Sequence, residues 1–139
     1  MQPIIKSCCG IDVHKKMIKA CIAKGPLNKP PKLEIRTFST MTSALMNLKD
    51  WLKENEVEKI AMESIGVYWK PIFNILEDEF PIVLANPQAL RKIPGKKSDV
   101  SDSQWIATLL RCNLVPGSFI PKKPIRELRD LNRTRRKLV

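Results

Sequence analysis

The sequence predicts an α/β protein built on a five-stranded mixed sheet, with strand order 3-2-1-4-5 and helices on its faces. Two observations support this fold class. The first 38 residues contain three short apolar runs that are separated by turn-forming residues. Beyond residue 40, segments in which apolar side chains recur at helical spacing alternate with short apolar runs.

The N-terminal part of the chain is predicted to form a three-stranded antiparallel meander. Residues 4–13 and 17–23 are rich in Ile, Val and Cys and flank the short segment 14–16, which is typical of a hairpin. Residues 25–32 contain three prolines, which fix φ and lack backbone donors, so they predict a turn. Residues 33–38 alternate apolar with polar side chains, and this pattern predicts a half-buried third strand.

The rest of the chain is predicted to alternate helices with strands. Leu45, Leu48 and Leu52 recur at helical spacing from about residue 42, with Thr40 or Thr42 as the expected cap. The elements predicted next are a strand at 59–62, a helix at about 68–79, a strand at 81–85, a short helix at about 88–92 and a helix at about 98–113 capped by Ser98.

Each strand–helix–strand step adds a parallel strand by a right-handed crossover, so the fourth and fifth strands extend the sheet on the far side of the first. This order is that of the ribonuclease-H-like fold, in which strand 1 is central and strand 4 lies beside it. A doubly wound flavodoxin-like sheet is the competing architecture. It requires a helix where residues 14–16 and 25–32 offer only turns.

Length and charge bound the class of function. A chain of 139 residues allows one domain, which we expect at 1–115, followed by a basic linker and the start of a helix at 116–139. The net charge is +11, of which +9 falls after residue 90. This distribution is typical of a protein with a phosphate-bearing partner, although a solvated basic face or an acidic protein partner fits the same composition.

The lack of membrane-spanning and signal segments, and the pattern of cysteines, narrow the class of protein further. No apolar run approaches the roughly 20 residues that span a bilayer, and the N-terminus lacks the apolar segment of a signal peptide. We therefore expect a cytoplasmic protein without a membrane partner. Cys8, Cys9, Cys21 and Cys112 show no CxxC spacing and lie among apolar residues, so we expect reduced core cysteines.

Four acidic residues stand out by their positions. Asp12 lies in the apolar central strand, where an unpaired carboxylate is costly to bury. Glu63 ends the fourth strand, which lies beside the first in the predicted sheet. Asp99 and Asp102 are three residues apart at the predicted helix start, so they share the face that packs on the sheet. A helix start favoured by the macrodipole also accounts for these two aspartates, and an ordinary strand end accounts for Glu63.

Carboxylates that converge in this way raise each other's pKa, and hard divalent cations such as Mg²⁺ relieve the repulsion. Two such ions about 3.5–4 Å apart activate a hydroxyl and stabilise the leaving oxygen in phosphodiester transfer. We therefore predict that Asp12, Glu63, Asp99 and Asp102 are catalytic and bind metal, with two ions.

Three residues near these acids are assigned structural roles. His14 is expected at the surface, with a proton shuttle or phosphate contact as the alternative. Tyr68 and Trp69 are expected to pack in the core, with stacking on nucleic acid as the alternative.

Four segments carry a resemblance to a known family. They are Gly-Ile-Asp-Val-His-Lys (10–15), Met-Glu-Ser-Ile-Gly-Val-Tyr-Trp (62–69), Ala-Asn-Pro (85–87) and Lys-Ser-Asp-Val-Ser-Asp-Ser-Gln-Trp-Ile-Ala (97–107). In this order they resemble the N-terminal DEDD domain of bacterial insertion-sequence transposases related to the Piv/MooV DNA invertases. The resemblance covers almost the whole chain.

The resemblance implies a RuvC-like catalytic domain in which Asp12, Glu63, Asp99 and Asp102 form the acidic tetrad that holds Mg²⁺ or Mn²⁺. Members of the family recombine DNA, and in some of them a structured bridge RNA chooses the sites. Full-length members are expected to form homo-oligomers. They continue into a C-terminal domain with a proposed serine nucleophile, so we expect this chain to be a fragment that is incomplete as an enzyme.

The sequence thus predicts a transposase catalytic domain that cleaves and transfers DNA strands with divalent metal, with a guide RNA as a further expected partner. Two alternatives stay open: a nucleic-acid-binding and assembly module that is inactive alone, and a stand-alone resolvase-like endonuclease. The residues expected to contact nucleic acid are Lys96, Lys97, Arg129, Arg133, Arg135 and Arg136.

Overall fold

A computed structural model describes residues 2–64 and 66–119. The strands are β1 (Ser7–Val13), β2 (Met17–Lys24), β3 (Lys32–Ser39), β4 (Lys59–Ser64), β5 (Ile82–Ala85) and β6 (Gly117–Phe119). The helices are α1 (Thr42–Glu54), α2 (Lys70–Leu76), α3 (Pro87–Lys92) and α4 (Asp102–Arg111). No helix in the described part of the chain is long and apolar enough to cross a membrane.

The sheet has the order β3-β2-β1-β4-β5-β6, which confirms the predicted 3-2-1-4-5 arrangement and adds a sixth strand. β1 pairs antiparallel with β2 and parallel with β4, so β1 is central. β6 pairs antiparallel with β5 at the far edge. The sequence did not predict β6 because it has only three residues and follows Pro116. The domain boundary after residue 115 stays a prediction, with β6 lying just beyond it.

Two apolar layers hold the sheet between helices. The larger layer packs α1 and α2 on one face and includes Ile11, Leu48 and Ile60. The smaller layer packs α4 on the other face and includes Trp105 and Leu109. The two layers bury both sides of β1, which explains its almost uninterrupted apolar sequence.

Gly10 allows α4 to lie directly on the central strand. A Cβ atom at this position would come within 2.5 Å of the backbone nitrogen of Ala107 and of the backbone oxygen of Ser103. A larger residue would therefore push the helix away from β1. The close approach matters for the predicted acidic site, because α4 begins beside the end of β1.

Arg111 is a buried cation that the sequence analysis did not single out. Its guanidinium donates hydrogen bonds to the backbone carbonyls of Ile5, Gly25, Pro26 and Lys29 at 2.7–3.3 Å. These bonds fasten the end of α4 to the N-terminal segment and to the proline-rich turn, and they satisfy the buried charge without a carboxylate.

Some helix boundaries and caps differ from the predicted ones. α4 begins at Asp102 instead of 98, because Ser101 and not Ser98 is the N-cap and forms a capping box with Gln104. α2 is shorter than 68–79. α1 begins at Thr42 as predicted, but its N-cap is Met41 and no side chain caps it, so the cap expected from Thr40 or Thr42 is wrong.

The predicted half-burial of β3 is also wrong. Seven of its eight residues are exposed and only Phe38 is partly buried. The alternation of side chains is present, but β3 is the edge strand and the helices cover the middle of the sheet.

The cysteines of the described chain are free thiols, as predicted. Burial raises the pKa of Cys8 to about 12 and that of Cys21 to about 11, and it raises the pKa of Cys9 as well. These three thiols are therefore unreactive core groups. Cys112 is only half-buried.

Candidate metal and nucleic-acid site

Three carboxylates meet at one end of the sheet. Asp12 and Glu63 are paired neighbours in the parallel register of β1 and β4, which aligns the ends of these two strands. Asp102 is the first residue of α4, which packs on β1. One oxygen from each of the three carboxylates lies within 4.8 Å of the other two. The site is thus built from two adjacent strands and one helix start.

The three carboxylates line an open cavity of about 860 Å³. Its floor is formed by the ends of β1, β4 and β5, and one wall is formed by α3 and the loop that leads to α4. Arg91 and Lys96 lie on that wall, and His14 lies beside Asp12. The cavity lining therefore combines the three acidic groups with cationic groups.

Each of the two aspartates in this group already has a side-chain partner. His14 Nε2 lies 3.0 Å from Asp12 Oδ2, and Lys96 Nζ donates a hydrogen bond of 2.9 Å to Asp102 Oδ1. The Asp12 side chain is only 16% exposed, whereas that of Asp102 is 57% exposed. Water screens the second contact more strongly, so we regard it as the weaker of the two.

The surroundings of Glu63 disfavour the charged form of its carboxyl group. Burial raises its pKa, and the negative charges of Asp12 and Asp102 raise it further. The positive charges of Arg91 and Lys96 act in the opposite direction without cancelling the shift. A cation bound between the carboxylates would relieve this repulsion.

Asp99 is the one predicted acid that does not join the group. It is exposed in a turn two residues before the N-cap of α4, so it does not share a helical face with Asp102. The expectation that both aspartates lie on one helix face is therefore wrong, because the capping box at Ser101 starts the helix later.

The predicted nucleic-acid residues fall into two sets. Lys96 lies in the cavity, and Lys97 is exposed beside it. The four arginines of the second set lie outside the described residues: Arg129, Arg133, Arg135 and Arg136.

Sequence reasoning missed Arg91 and the contact of His14 with Asp12, and it misjudged Tyr68, whereas its expectation for Trp69 is confirmed. His14 is 48% exposed, as expected for a surface residue, but it also contacts Asp12. Arg91 was not selected, although its place in a short helix after a strand was a usable signal. Tyr68 is 40% exposed, which contradicts its predicted core role. Trp69 is partly buried against the core and forms an edge-on contact with Phe73, as predicted.

The donor set fits a hard divalent cation. Three carboxylates from separate elements offer oxygen ligands, and Mg²⁺ and Mn²⁺ both favour carboxylate oxygen, leaving further positions for water or phosphate. The cationic groups of the cavity lining suit a phosphate-bearing ligand beside such an ion.

Comparisons with known proteins give one family match. The family model DEDD_Tnp_IS110, described as a transposase, matches residues 9–139. A search of the curated proteins finds no significant match by sequence.

The solved structures to which this chain is similar are distant in sequence. RuvC of Thermus thermophilus is 12% identical, with a TM-score of 0.47, over 84% of this chain and 85% of that chain. A Ppx/GppA family member of Aquifex aeolicus is 13% identical, with a TM-score of 0.40, over 63% of this chain. The match spans 37% of the Aquifex aeolicus chain.

Proposed function

Because the chain belongs to the DEDD_Tnp_IS110 family of transposases, we propose that it is a catalytic domain for metal-dependent cleavage and transfer of DNA strands. The observation that carries the proposal is the convergence of Asp12, Glu63 and Asp102 within 4.8 Å of one another. Carboxylates on adjacent parallel strands and a helix start provide a rigid ligand set for such chemistry.

Mg²⁺ or Mn²⁺ held by Asp12, Glu63 and Asp102 would supply an activated hydroxyl and stabilise the leaving oxygen in phosphodiester transfer. The protein's own residues would position the metal ligands and the substrate for that step. The β1–β4 register holds Asp12 and Glu63 side by side, and Arg91 and Lys96 are placed to contact phosphate oxygens in the cavity. Lys96 would exchange its contact with Asp102 for one with the substrate.

Two ions and a fourth ligand remain part of the proposal. Asp99 lies three residues before Asp102 in the turn that leads into α4. Asp99 lies apart from the other three carboxylates in this structure, and we propose that it joins them as the fourth member of the tetrad when metal and DNA bind. Asp99→Asn should therefore weaken metal-dependent cleavage, whereas an equal rate for the variant would remove Asp99 from the site.

The proposed partners follow from charge and family. DNA is the substrate, and its backbone would lie on the cationic groups of the cavity. A structured guide RNA and a homo-oligomeric assembly are proposed as further partners of the whole protein. A DNA substrate would place the protein in the cytoplasm.

Isothermal titration of Mn²⁺ and Mg²⁺, with and without bound DNA, tests the metal site. Asp12→Asn should weaken binding by at least about tenfold, since loss of even an indirect partner of a metal costs that much. Asp50→Asn is the matched control, because Asp50 is an exposed residue of α1. Equal binding by wild type and Asp12→Asn would contradict the proposed ligand set.

Strand cleavage with labelled DNA tests the activity. Wild type should cut or join DNA only with divalent metal, and Asp12→Asn and Glu63→Gln should not. Cleavage of branched DNA by the isolated chain would instead favour the stand-alone resolvase-like endonuclease.

One observation favours a second candidate function. His14 and Lys96 already pair with two of the three carboxylates, so the acids have partners without a metal. This fits a nucleic-acid-binding and assembly module that is inactive alone. DNA binding that is indifferent to metal, together with no cleavage under any condition, would decide for this alternative.

A further inference from the structure

β3 presents a long unpaired edge at the side of the sheet away from β6. It has eight residues, contains no proline within its bounds, and pairs with β2 along its whole length in regular antiparallel register. Apart from the ladder with β2, no backbone hydrogen bond joins residues 32–39 to another part of the described chain. The outward-facing backbone groups of β3 are therefore available for a further strand.

The side chains of this edge are apolar on one face. Leu33 and Ile35 are 41% and 42% exposed. They are paired with Ala23 and Cys21 of β2, which lie in the layer that packs against α4. The apolar surface of that layer thus continues onto β3, beyond the helix that covers it.

The opposite face of the edge carries charges of both signs. Glu34 and Arg36 are exposed neighbours on this face, and their side chains form an ion pair of 3.2 Å. Each is about half exposed, and the Arg36 guanidinium also lies 4.9 Å from the centre of the Trp51 ring.

We propose that β3 pairs antiparallel with β3 of a second copy of this chain, with Ile35 opposite Ile35, so that the two sheets form one continuous sheet. In this register Glu34 of each copy lies opposite Arg36 of the other, and Leu33 lies opposite Thr37. Opposite charges face each other twice, and the two isoleucines meet on the apolar face.

Neighbouring registers are less favourable. A two-fold axis normal to the sheet keeps each side chain on its own face, so the register changes in steps that centre on another residue. Centring on Glu34 places Glu34 against Glu34 and Lys32 against Arg36. Centring on Arg36 places Arg36 against Arg36. Like charges directly opposite destabilise a strand pair, so the charges favour Ile35 over Glu34 and Arg36 as the centre.

This inference does not depend on the proposed function, because the β3 edge lies away from the carboxylates and none of its residues lines their cavity. A failure of the metal or cleavage experiments would leave it untouched, and its own failure would leave them untouched.

Sedimentation equilibrium of the chain tests the pairing. Wild type should show a reversible monomer–dimer equilibrium, and Ile35→Lys should raise the dissociation constant at least about tenfold, because it places two lysines opposite each other. Leu114→Lys is the matched control, since Leu114 is 45% exposed between α4 and β6. A monomeric wild type, or a dimer that Ile35→Lys leaves unchanged, would overturn the proposal.

A charge exchange identifies the register. Glu34→Arg and Arg36→Glu should each weaken the dimer, because each creates like-charge pairs across the two copies. The double variant Glu34→Arg/Arg36→Glu should restore it. Circular dichroism melts establish that the variants fold, and a double variant as weak as the single variants would overturn the Ile35-centred register.

Discussion

Glu63 shows how a candidate site residue can reduce the stability of the fold that carries it. Its carboxyl group is partly buried beside two other carboxylates, and its pKa is raised. The folded protein thus binds a proton at Glu63 more tightly than the unfolded chain. Stability is therefore greatest below the unfolded pKa and decreases as pH rises through the folded pKa.

We predict that Glu63→Gln raises the melting temperature at pH 7 in the absence of divalent metal. The gain should shrink as pH falls towards and below 4.5, the usual pKa of a glutamate, because Glu63 then becomes protonated in both the folded and the unfolded state. Thermal melts between pH 4 and pH 7 in a chelator measure the difference. Glu54→Gln, on the exposed side of α1, is the control. A gain that is equal at both ends of this range would contradict the assigned cause.

At the scale of the elements, the placement of α4 decides which acids can meet. Its N-cap is Ser101, whose hydroxyl accepts from the backbone of Gln104 while the Gln104 side chain accepts from the backbone of Ser101. This box orients Asp102 towards the strand ends and leaves Asp99 in the preceding turn.

Ser101→Ala should lower the free energy of unfolding by about 1 kcal/mol, the usual cost of losing a cap. Ser98→Ala removes a serine from the adjacent turn and should leave stability unchanged, because Ser98 does not cap the helix. Urea unfolding of the two variants compares them directly. A larger effect for Ser98→Ala would place the helix start where the sequence pattern had predicted it.

Gly10→Ala should destabilise the protein by about 1–3 kcal/mol or more, because its methyl group would collide with backbone atoms of α4. Gly66→Ala is an informative comparison: its φ is +65° but no atom lies within 4 Å of the added Cβ, so only the conformational cost of about 1 kcal/mol applies. Urea unfolding separates the two costs. A Gly10→Ala variant as stable as wild type would show that α4 can move away from β1 freely.

At the scale of the whole molecule, charge is distributed along the sheet. The acidic cluster and Lys96 lie at the end of β1 that carries Asp12, whereas Lys24 and Lys32 lie at the end that carries Ser7. If DNA lies over the cavity, basic residues at the two ends contribute unequally to its binding.

Neutralising Lys96 and Lys97 together should make the slope of log K against log salt shallower by about 2, since each phosphate contact with duplex DNA contributes about 0.9. Lys24→Ala/Lys32→Ala removes the same charge at the other end of the sheet and should leave the slope unchanged. Fluorescence anisotropy at several salt concentrations measures both slopes. Equal slopes for the two double variants would contradict the assignment of Lys96 and Lys97 to the DNA contacts.

The same salt dependence of DNA binding tests the four arginines at 129, 133, 135 and 136. Their replacement by alanine should flatten the slope further, as expected for a basic segment that follows the domain. An unchanged slope would exclude them from the nucleic-acid contacts.

Much of the fold followed from local patterns. The change from strand to helical periodicity near Thr42 predicted the element order, and the right-handed crossover rule then gave the sheet order. The burial of β3 could not be predicted from its alternation, because burial depends on whether a helix covers the strand. Helix ends were misplaced where two serines competed for the cap.

The candidate site was also predictable in part from local patterns in the sequence. Asp12 and Glu63 were identified because a carboxylate in or at the end of an apolar strand is unusual, and the β1–β4 register places them side by side. The contacts of His14 and Lys96, and the position of Arg91, depend on how turns fold back over the strand ends. His14 lies two residues from Asp12, and Lys96 lies six residues from Asp102. These contacts are local, but sequence spacing does not specify the turn conformations that make them.

By itself, the sequence determined the family, the order of the strands and the acids at the strand ends, because periodicity and residue chemistry are local properties of the chain. Only the tertiary structure decided that Asp12, Glu63 and Asp102 meet while Asp99 stands apart, that Arg111 is a buried anchor, and that β3 is left largely exposed. These features depend on distances between segments far apart in sequence, which packing alone sets.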